Sequence, residues 1–306
     1  MRTDNALMRM VLFGAGASYG SGPTFPAPPP LGKDLFAALK AAYPHSWGVL
    51  TGADQARFTS SFENGMGTLL HTGSHAVPPL MKDMARFFAR YMLQVGNAYL
   101  NLLDALSSAG KLDDLAFATL NYECLLEWAL GTFGRESDYF GNPTGTHPSS
   151  PVLKLHGSCN FMPGTGLYVA PSGISYSGLV TLNPPHIQPV DPSTVAAALA
   201  NTGMYPVMAF YEPGKTVQIA PDIVKGVQQA YASRVSSATT VAVIGVSPNV
   251  NDAHVWEPLR LAQARILFVG DHNSYKAWKA NERRWRPSIF LGDRFDATIG
   301  KVVQAL

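Results

Sequence analysis

Cysteine, charge and long apolar runs are all scarce in this sequence of 306 residues. With only two cysteines, Cys124 and Cys159, the chain is not expected to form a disulfide framework and cannot hold a four-cysteine zinc site. Charged residues form 14% of the chain and the formal net charge is +2, which gives no argument for nucleic-acid binding. No apolar run approaches the roughly 20 residues that span a bilayer, so we expect no membrane association.

Hydrophobic residues are abundant, at 46% of the chain, which is enough for a large core in one or two domains. The low charged fraction suggests that much of the surface is neutral, or is covered by another subunit or domain, and it favours self-association. Near the N-terminus, Ala15-Gly16-Ala17 resembles a leader cleavage site, but Arg9 interrupts the apolar stretch before it. We therefore expect a cytoplasmic protein.

Short apolar runs alternate with segments of helical periodicity through most of the chain. This alternation predicts an α/β fold, a Rossmann-like doubly wound parallel sheet with helices on both faces. The predicted strands are 9–13, 115–119, 152–155, 240–244, 265–269 and 288–291, and the predicted helices are 31–43, 122–132, 221–237, 254–264, 274–285 and 293–306.

Two stretches interrupt this alternation within a single predicted domain, 1–306. The first is a helical insertion, 41–110. Its segment 44–79 lacks periodicity and is expected to be irregular, whereas 79–108 is amphipathic and predicts either one bent helix or two. The second stretch, 158–220, is rich in glycine, proline and serine and is expected to form a small irregular subdomain, with β-type runs at 166–170 and 178–182.

Four distinctive segments follow predicted strands: Gly14-Ala15-Gly16, Asn121, His156 and Gly245-Val246-Ser247. Ligands of open parallel sheets bind beyond the carboxyl ends of the strands, so we expect these segments to converge at one site. A glycine turn after the first strand is typical of a nucleotide-binding domain, because glycine lets backbone N–H groups approach a phosphate. Tyr19 stands where the dehydrogenase fingerprint has its third glycine, which argues against a dehydrogenase.

Asn121 and His156 are the candidate catalytic residues. An amide both donates and accepts, so Asn121 can hold ribose hydroxyls or orient a water molecule; alternatively, it caps the following helix. An imidazole titrates near neutral pH, so His156 can take a proton from a hydroxyl or from water; alternatively, it is a core histidine. Their positions at neighbouring strand ends favour a functional role for both.

Further polar residues follow the later strands. Asp252 stands at a predicted helix start, where capping is the favoured role, and His254 comes two residues later. Asp271 either accepts hydrogen bonds from an adenosine ribose or closes a turn. The other histidines form no metal-binding pattern, since His71 and His75 are four apart and lack a third ligand nearby. We therefore expect no bound metal.

In this order along the chain, the motifs resemble those of the sirtuin (silent information regulator) superfamily. The family's glycine-alanine-glycine opening is similar to residues 14–18, and its threonine-x-asparagine motif to Thr119-Leu120-Asn121. His156-Gly157 matches the family's catalytic histidine-glycine pair. Ile244-Gly245-Val246-Ser247 resembles the later glycine-x-serine motif, and Phe290-Leu291-Gly292-Asp293 resembles the closing glycine-aspartate segment.

The chain differs from the family's pattern in two respects, and these differences make it resemble a divergent bacterial branch that is found in antiphage defence. The family's zinc-binding deacetylases have two cysteine pairs in the small domain, where this chain has only Cys159. The loop after the glycine turn lacks the family's arginine, and Phe25 is the only counterpart of its aromatic residue. Members of this branch resemble NAD glycohydrolases, which deplete NAD after infection is sensed.

The resemblance thus implies that NAD is the substrate, that it is cleaved to nicotinamide and ADP-ribose, and that Asn121 and His156 are catalytic. Two other functions stay open: a zinc-free NAD-dependent protein deacylase, and a non-catalytic sensor of NAD or ADP-ribose. The residues expected to bind NAD are Gly14, Ala15, Gly16, Ser18, Phe25, Thr119, Gly245, Ser247 and Asp271.

Overall fold

The computed structural model describes residues 8–141, 145–164, 181–210, 215 and 217–306. Its strands are β1 (Arg9–Phe13), β2 (Thr24–Phe25), β3 (Met92–Leu93), β4 (Leu115–Thr119), β5 (Glu136–Asp138), β6 (Ser149–Lys154), β7 (Phe161–Pro163), β8 (Ile187–Pro189), β9 (Thr240–Ile244), β10 (Arg265–Val269) and β11 (Ser288–Gly292). Its α-helices are α1 (Ala15–Tyr19), α2 (Gly32–Ala42), α3 (Gly52–Ser60), α4 (Phe62–His71), α5 (Val77–Ala89), α6 (Ala98–Ser108), α7 (Leu125–Thr132), α8 (Val195–Ala200), α9 (Pro221–Ser237), α10 (Ala253–Leu261), α11 (His272–Glu282) and α12 (Phe295–Ala305). Among the residues described, no helix has both the length and the apolar composition needed to cross a membrane.

Seven strands form one sheet in the order β11-β10-β9-β1-β4-β6-β5, and all neighbours in it are parallel. Phe13, at the end of β1, lies opposite Thr119 of β4 and Ile244 of β9. The carboxyl ends of the three central strands are therefore level with one another. The predicted α/β fold with a parallel sheet is confirmed.

Both faces of the sheet are buried. Val11 and Phe13 of β1 belong to one hydrophobic cluster, which also contains residues of α5, α6 and α12. Met10 and Leu12 belong to a second cluster, with residues of α9, α10 and α11. Because successive side chains of a strand point to opposite faces, these clusters lie on opposite sides of the sheet. Burial on both faces explains why the strands are continuous apolar runs in the sequence.

The predicted strands and helices of the alternating part are all present, with ends that differ from the predictions by three residues or fewer. The helix predicted at 221–237 has these same bounds. No sequence signal predicts β5, which extends the sheet beside β6. Its three residues, Glu-Ser-Asp, are polar and only partly buried, so they lack the apolar run that identifies the other strands.

The prediction that 44–79 is irregular is wrong, because α3, α4 and the start of α5 lie there. α3 buries only Phe58 and so has no apolar periodicity. α4 does bury Phe62, Met66 and Leu69 on one face, but its two glycines are poor helix formers and make this short pattern hard to recognise in the sequence. Their N-termini are nevertheless capped: the hydroxyl of Thr51 accepts from the α3 backbone, and that of Ser61 from the α4 backbone. Between 79 and 108 the chain forms two helices, α5 and α6, separated by β3.

The helical insertion packs on the sheet. Trp47, Phe58 and Met66 belong to the same buried cluster as Val11 and Phe13 of β1. Insertion and sheet therefore share one core, which brings insertion helices close to the carboxyl ends of the strands.

The region expected to form a small subdomain contributes the antiparallel pair β7–β8 and the short helix α8. The predicted β-type run at 166–170 and most of the run at 178–182 lie outside the described residues. Leu182, the last residue of the second run, forms an isolated bridge with Ile219.

Candidate functional site

The glycine turn after β1 packs directly against the glycine turn after β9. The N–H group of Gly14 donates to the last carbonyl of β9, and that of Gly16 donates to the Gly245 carbonyl, both at 3.0 Å. A Cβ atom at Gly245, where φ is +66°, would lie 1.9 Å from the Ala17 nitrogen. These glycines are therefore needed for the contact between two strand ends. Ala15 is the first residue of α1, so its N–H group has no acceptor within the helix. Because the N–H groups of Gly14 and Gly16 are already bonded, the Ala15 N–H is the donor in this turn that can bind a phosphate.

A cavity of about 450 Å³ lies beyond the carboxyl ends of the central strands. Small-molecule sites typically measure about 300–1,000 Å³. The structure brings most of the predicted site residues together there: Gly14, Ala15, Gly16, Ser18, Asn121, His156, Gly245, Ser247 and Asp271 all line the cavity.

Phe25 and Thr119 are not among the residues that line this cavity. Phe25 pairs with Met92 across the small β2–β3 ribbon and is 53% exposed. Thr119 is buried, and its hydroxyl accepts from the Asn121 N–H at 3.0 Å. Thr119 therefore positions Asn121. Phe25 does not line the cavity.

The side chain of Asn121 is fixed by two hydrogen bonds. Its Nδ2 donates to the Gly14 carbonyl at 3.1 Å and to Ser18 Oγ at 2.8 Å. The alternative role as a helix cap is wrong, because α7 begins at Leu125 and its N-cap is Cys124. Since both amide hydrogens are engaged, the group that Asn121 can offer a ligand is its acceptor oxygen, Oδ1.

Beneath Asn121 lies a buried network that no sequence pattern identified. Ser18 Oγ donates to Glu123 Oε1 at 2.5 Å and lies 2.9 Å from the Tyr99 hydroxyl. Glu123 Oε2 accepts from the Leu125 N–H at 2.6 Å. Burial raises the pKa of Glu123 above its usual value. Because Ser18 gives its one hydrogen to Glu123, its oxygen is the acceptor for Asn121, and the network fixes the orientation of the amide.

Lys154, at the end of β6, anchors this network. Its Nζ lies 2.9 Å from Glu127 Oε1 and donates to the Glu123 carbonyl at 2.7 Å. Burial alone would lower the pKa of Lys154, but the acidic groups around it, among which Glu127 has the largest effect, together outweigh burial and the pKa is raised. The charged ammonium group therefore ties β6 to α7 under the cavity.

His156 follows β6 and lines the cavity. At the next residue, Gly157, φ is +74° and a Cβ atom would lie 2.0 Å from the Val207 carbonyl oxygen. The His156 carbonyl accepts from the Ala209 N–H at 2.8 Å. This close approach requires glycine at position 157, and it fixes the His156 backbone against the chain that follows α8.

Asp252 and His254 lie beside His156. The Nε2 atoms of His156 and His254 are 2.9 Å apart, and Asp252 Oδ1 is 3.5 Å from His156 Nε2. The predicted capping role of Asp252 is wrong, because it stands at the N-cap of α10 without a side-chain capping bond. Its carboxylate contacts His156 instead. The pair of histidines was not predicted, since 98 residues separate them in the sequence.

Burial and mutual contact set the charges in this cluster. Burial, together with the nearby charge of His156, lowers the pKa of His254 to about 4. Burial alone would raise the pKa of Asp252, but its contact with His156 and the nearby charges of Lys215 and His254 together outweigh burial, and the pKa is lowered. At neutral pH, the groups in this cluster that face His156 are therefore an uncharged His254 imidazole and the Asp252 carboxylate.

The helical insertion also reaches the cavity. Glu63 of α4 lines it, and Glu63 Oε1 accepts from Lys215 Nζ at 2.8 Å. Asn251 Nδ2 lies 3.5 Å from Glu63 Oε2. Lys215 belongs to the chain between α8 and α9 and lines the same cavity. One wall of the cavity is therefore an ion pair between the insertion and a segment far away in the sequence. This pair could not be predicted, because nothing in the sequence links Glu63 to Lys215.

The residues after β9, β10 and β11 form another part of the wall. Asp271 caps α11, since its Oδ1 accepts from the Ser274 N–H at 2.7 Å and the Ser274 hydroxyl at 2.6 Å. Asp271 is exposed and lines the cavity, as do Ser247 and Asp293. Asp271 thus both caps a helix and faces the cavity.

In comparisons with known proteins, no family model matches the chain and no curated protein matches it. The functional interpretation therefore depends on the chemistry of the cavity and on the order of the motifs.

Proposed function

We propose that this chain is an NAD glycohydrolase, which cleaves the bond between nicotinamide and ribose to give nicotinamide and ADP-ribose. The observation that carries the proposal is that Asn121 and His156 line one cavity together with the glycine turn at 14–16. This is the combination that the resemblance to sirtuins assigns to NAD. The position of the cavity, beyond the carboxyl ends of a parallel sheet, is where nucleotides bind in such folds.

The parts of NAD suit different walls of the cavity. The pyrophosphate fits the turn at 14–16, where the Ala15 N–H has no acceptor within α1 and the flanking glycines let a phosphate approach the backbone. The adenosine ribose fits Asp271, whose carboxylate can accept bonds from hydroxyl groups. The nicotinamide ribose then lies between Asn121 and His156.

Cleavage breaks the bond between ribose C1′ and the nicotinamide nitrogen, and nicotinamide leaves as a neutral molecule with the bonding electron pair. The ribose develops oxocarbenium character, as in glycoside hydrolysis. A water molecule adds to C1′ and loses a proton. Asn121 Oδ1 accepts a hydrogen bond from this water or from a ribose hydroxyl, and His156 takes the proton.

The neighbours of His156 support its role as a base. When His156 Nε2–H donates to His254 Nε2, the neutral His156 ring has a bare Nδ1 that can take a proton. The imidazolium that forms then donates to an uncharged imidazole and lies 3.5 Å from the Asp252 carboxylate. Both contacts stabilise its positive charge. A positioned base of this kind contributes about 10²–10⁴-fold to the rate.

The experiment that tests the proposal compares NAD binding and nicotinamide release by the wild type, Asn121→Ala and His156→Ala, with the exposed His75→Ala as control. We expect release to fall about 100-fold or more in both site variants, while calorimetry still detects NAD binding. Full activity in His156→Ala contradicts the proposed base. Binding without turnover in the wild type favours a sensor, and turnover that needs an acyl-lysine peptide favours a deacylase.

The resemblance to the bacterial branch also favours a role in antiphage defence through depletion of cytoplasmic NAD. In such a role the enzyme is inactive until infection is sensed, and self-assembly or binding of a partner chain is one means of switching it on. The low charged fraction of 14% supports self-association. Size measurement in the presence and absence of NAD tests this part of the proposal.

A further inference from the structure

We propose that His156, Asp252 and His254 form a binding site for a divalent transition-metal ion, represented by Zn²⁺. The sequence predicted no metal site, because these residues form no ligand spacing that includes His156. In the structure, one ligand atom from each residue lies within 4.8 Å of the others. Two imidazoles and one carboxylate, with a water molecule in the fourth position, are a donor set that Zn²⁺ adopts in proteins.

The distances suit a shared ion. Zinc–nitrogen bonds are about 2.0–2.1 Å long, so two nitrogens 2.9 Å apart subtend about 90° at a common ion. Asp252 Oδ1, 3.5 Å from His156 Nε2, subtends about 115° with that nitrogen. Two such bonds span at most about 4.2 Å, so a small rotation of the Asp252 side chain brings all three ligand atoms into reach.

Asp252 provides an independent observation. The residue is 8% exposed and its Oδ1 atom is buried. Among the described groups this oxygen makes no hydrogen bond, although His156 Nε2 lies 3.5 Å away. A buried carboxylate oxygen without a partner costs free energy unless a donor or a cation satisfies it. A proton shared between the two histidines satisfies their nitrogens but not this oxygen, whereas one cation satisfies all three atoms.

The donor set selects the class of metal. Imidazole nitrogen suits Zn²⁺, Cu²⁺ and Ni²⁺, whereas Mg²⁺ and Ca²⁺ prefer ligand sets made of oxygen. His156 and Asp252 line the cavity, which gives the ion a path of entry and room for a water ligand. Lys215 lines the cavity too, but its ion pair with Glu63 offsets its repulsion of a cation.

An ion at this site changes the chemistry of His156. Zn²⁺ on Nε2 replaces the proton shared with His254 and places positive charge where the imidazolium must form. We therefore expect Zn²⁺ to inhibit NAD cleavage and EDTA to restore it. This inhibitory effect rests on the proposed function, whereas the metal site itself does not.

The test measures metal binding in the absence of NAD. The full chain, treated with EDTA and desalted, is titrated with ZnCl₂ by calorimetry at neutral pH, and with CoCl₂ by absorption spectroscopy. We expect one ion per chain and visible Co²⁺ bands without a thiolate charge-transfer band. The absence of that band separates this site from the buried pair Cys124 and Cys159, whose sulfur atoms lie 3.7 Å apart.

Two variants and two controls complete the test. His254→Gln and Asp252→Asn should each weaken Zn²⁺ binding about tenfold or more, and circular dichroism shows whether each variant is folded. The exposed His75→Gln should bind Zn²⁺ like the wild type, and MgCl₂ should give no binding heat.

No Zn²⁺ binding by the wild type, or unchanged binding by both folded site variants, overturns the proposal. The proposed metal site and the proposed glycohydrolase activity can be rejected independently of each other. Zn²⁺ binding that depends on His254 in a protein that never cleaves NAD supports the metal site and rejects the glycohydrolase. NAD cleavage in a protein that does not bind Zn²⁺ supports the glycohydrolase and rejects the metal site.

Discussion

The Nε2 atoms of His156 and His254 lie 2.9 Å apart, although 98 positions separate the two residues in the chain. His156 follows β6 and His254 belongs to α10, which follows β9. In the sheet, β1 and β4 lie between those two strands. The two histidines therefore meet beyond the carboxyl ends of the central strands, and His254 holds the ring of the proposed base.

Replacing His254 should slow the reaction without weakening substrate binding. We predict that His254→Gln lowers kcat for NAD by about 10- to 100-fold and changes KM little when EDTA is present, because the ring of His156 is no longer held in place. The ring of His156 loses its Nε2 partner, while the cavity wall keeps its other residues. Steady-state kinetics beside His75→Gln checks this prediction, and a rise in KM with unchanged kcat would contradict the positioning role.

The contact between the two glycine turns should leave no room for a methyl group. We predict that Gly245→Ala lowers the free energy of unfolding by about 2–4 kcal/mol, because of the positive φ and the clash with Ala17. Gly226, inside α9, has nothing within 4 Å of its Cβ position. Gly226→Ala should therefore stabilise the protein by up to about 1 kcal/mol. Urea unfolding measures both, and equal stabilities would disprove the steric argument.

The buried ion pair of Lys154 with Glu127 should be essential for stability. Lys154→Met leaves an unpaired carboxylate in the core, so we predict a loss of about 3–5 kcal/mol in the free energy of unfolding. Lys276→Met, on the exposed side of α11, should change stability by about 0.5 kcal/mol or less. Chemical denaturation compares the two variants. A cost at Lys154 as small as that at Lys276 would show that the pair is dispensable.

Glu123 should give the stability a distinct pH dependence. Burial raises its pKa above the usual 4.5. Between 4.5 and the raised pKa, the native protein holds a proton that the unfolded chain has released, so the contribution of Glu123 to stability falls as pH rises through this window.

Glu123→Gln cannot titrate, and it provides the comparison. We predict that the stability of the wild type relative to Glu123→Gln decreases as pH rises above about 4.5. Melting temperatures of both proteins across a pH series measure this difference. If the difference in melting temperature between the two proteins is constant with pH, the pKa of Glu123 is not higher in the native state than in the unfolded state.

Local patterns predicted most of the sheet and the main site residues. Strands such as β1 and β9 are buried on both faces, so their apolar runs are visible in the sequence, and the residues after them lie at the edge where ligands bind. Asn121 and His156 could be selected for that reason. α3 could not, because most of its residues are exposed and its single buried aromatic residue, Phe58, gives no periodicity.

The partners of His156 could not be predicted, for a different reason. Asp252 stands at a helix start, where an aspartate ordinarily caps the helix, and only the packing of β9 beside β1 turns it toward His156. The ion pair of Glu63 with Lys215 likewise joins residues 152 positions apart. Such contacts depend on how distant segments meet in space, which no local pattern records.

The most direct test of the central claim is chromatography of NAD after incubation with the purified full chain alone. We predict nicotinamide and ADP-ribose in equal amounts, formed without any acyl-lysine peptide and nearly absent with Asn121→Ala or His156→Ala. Intact NAD after incubation with a wild-type protein that binds it would contradict the claim that this cavity is a glycohydrolase site.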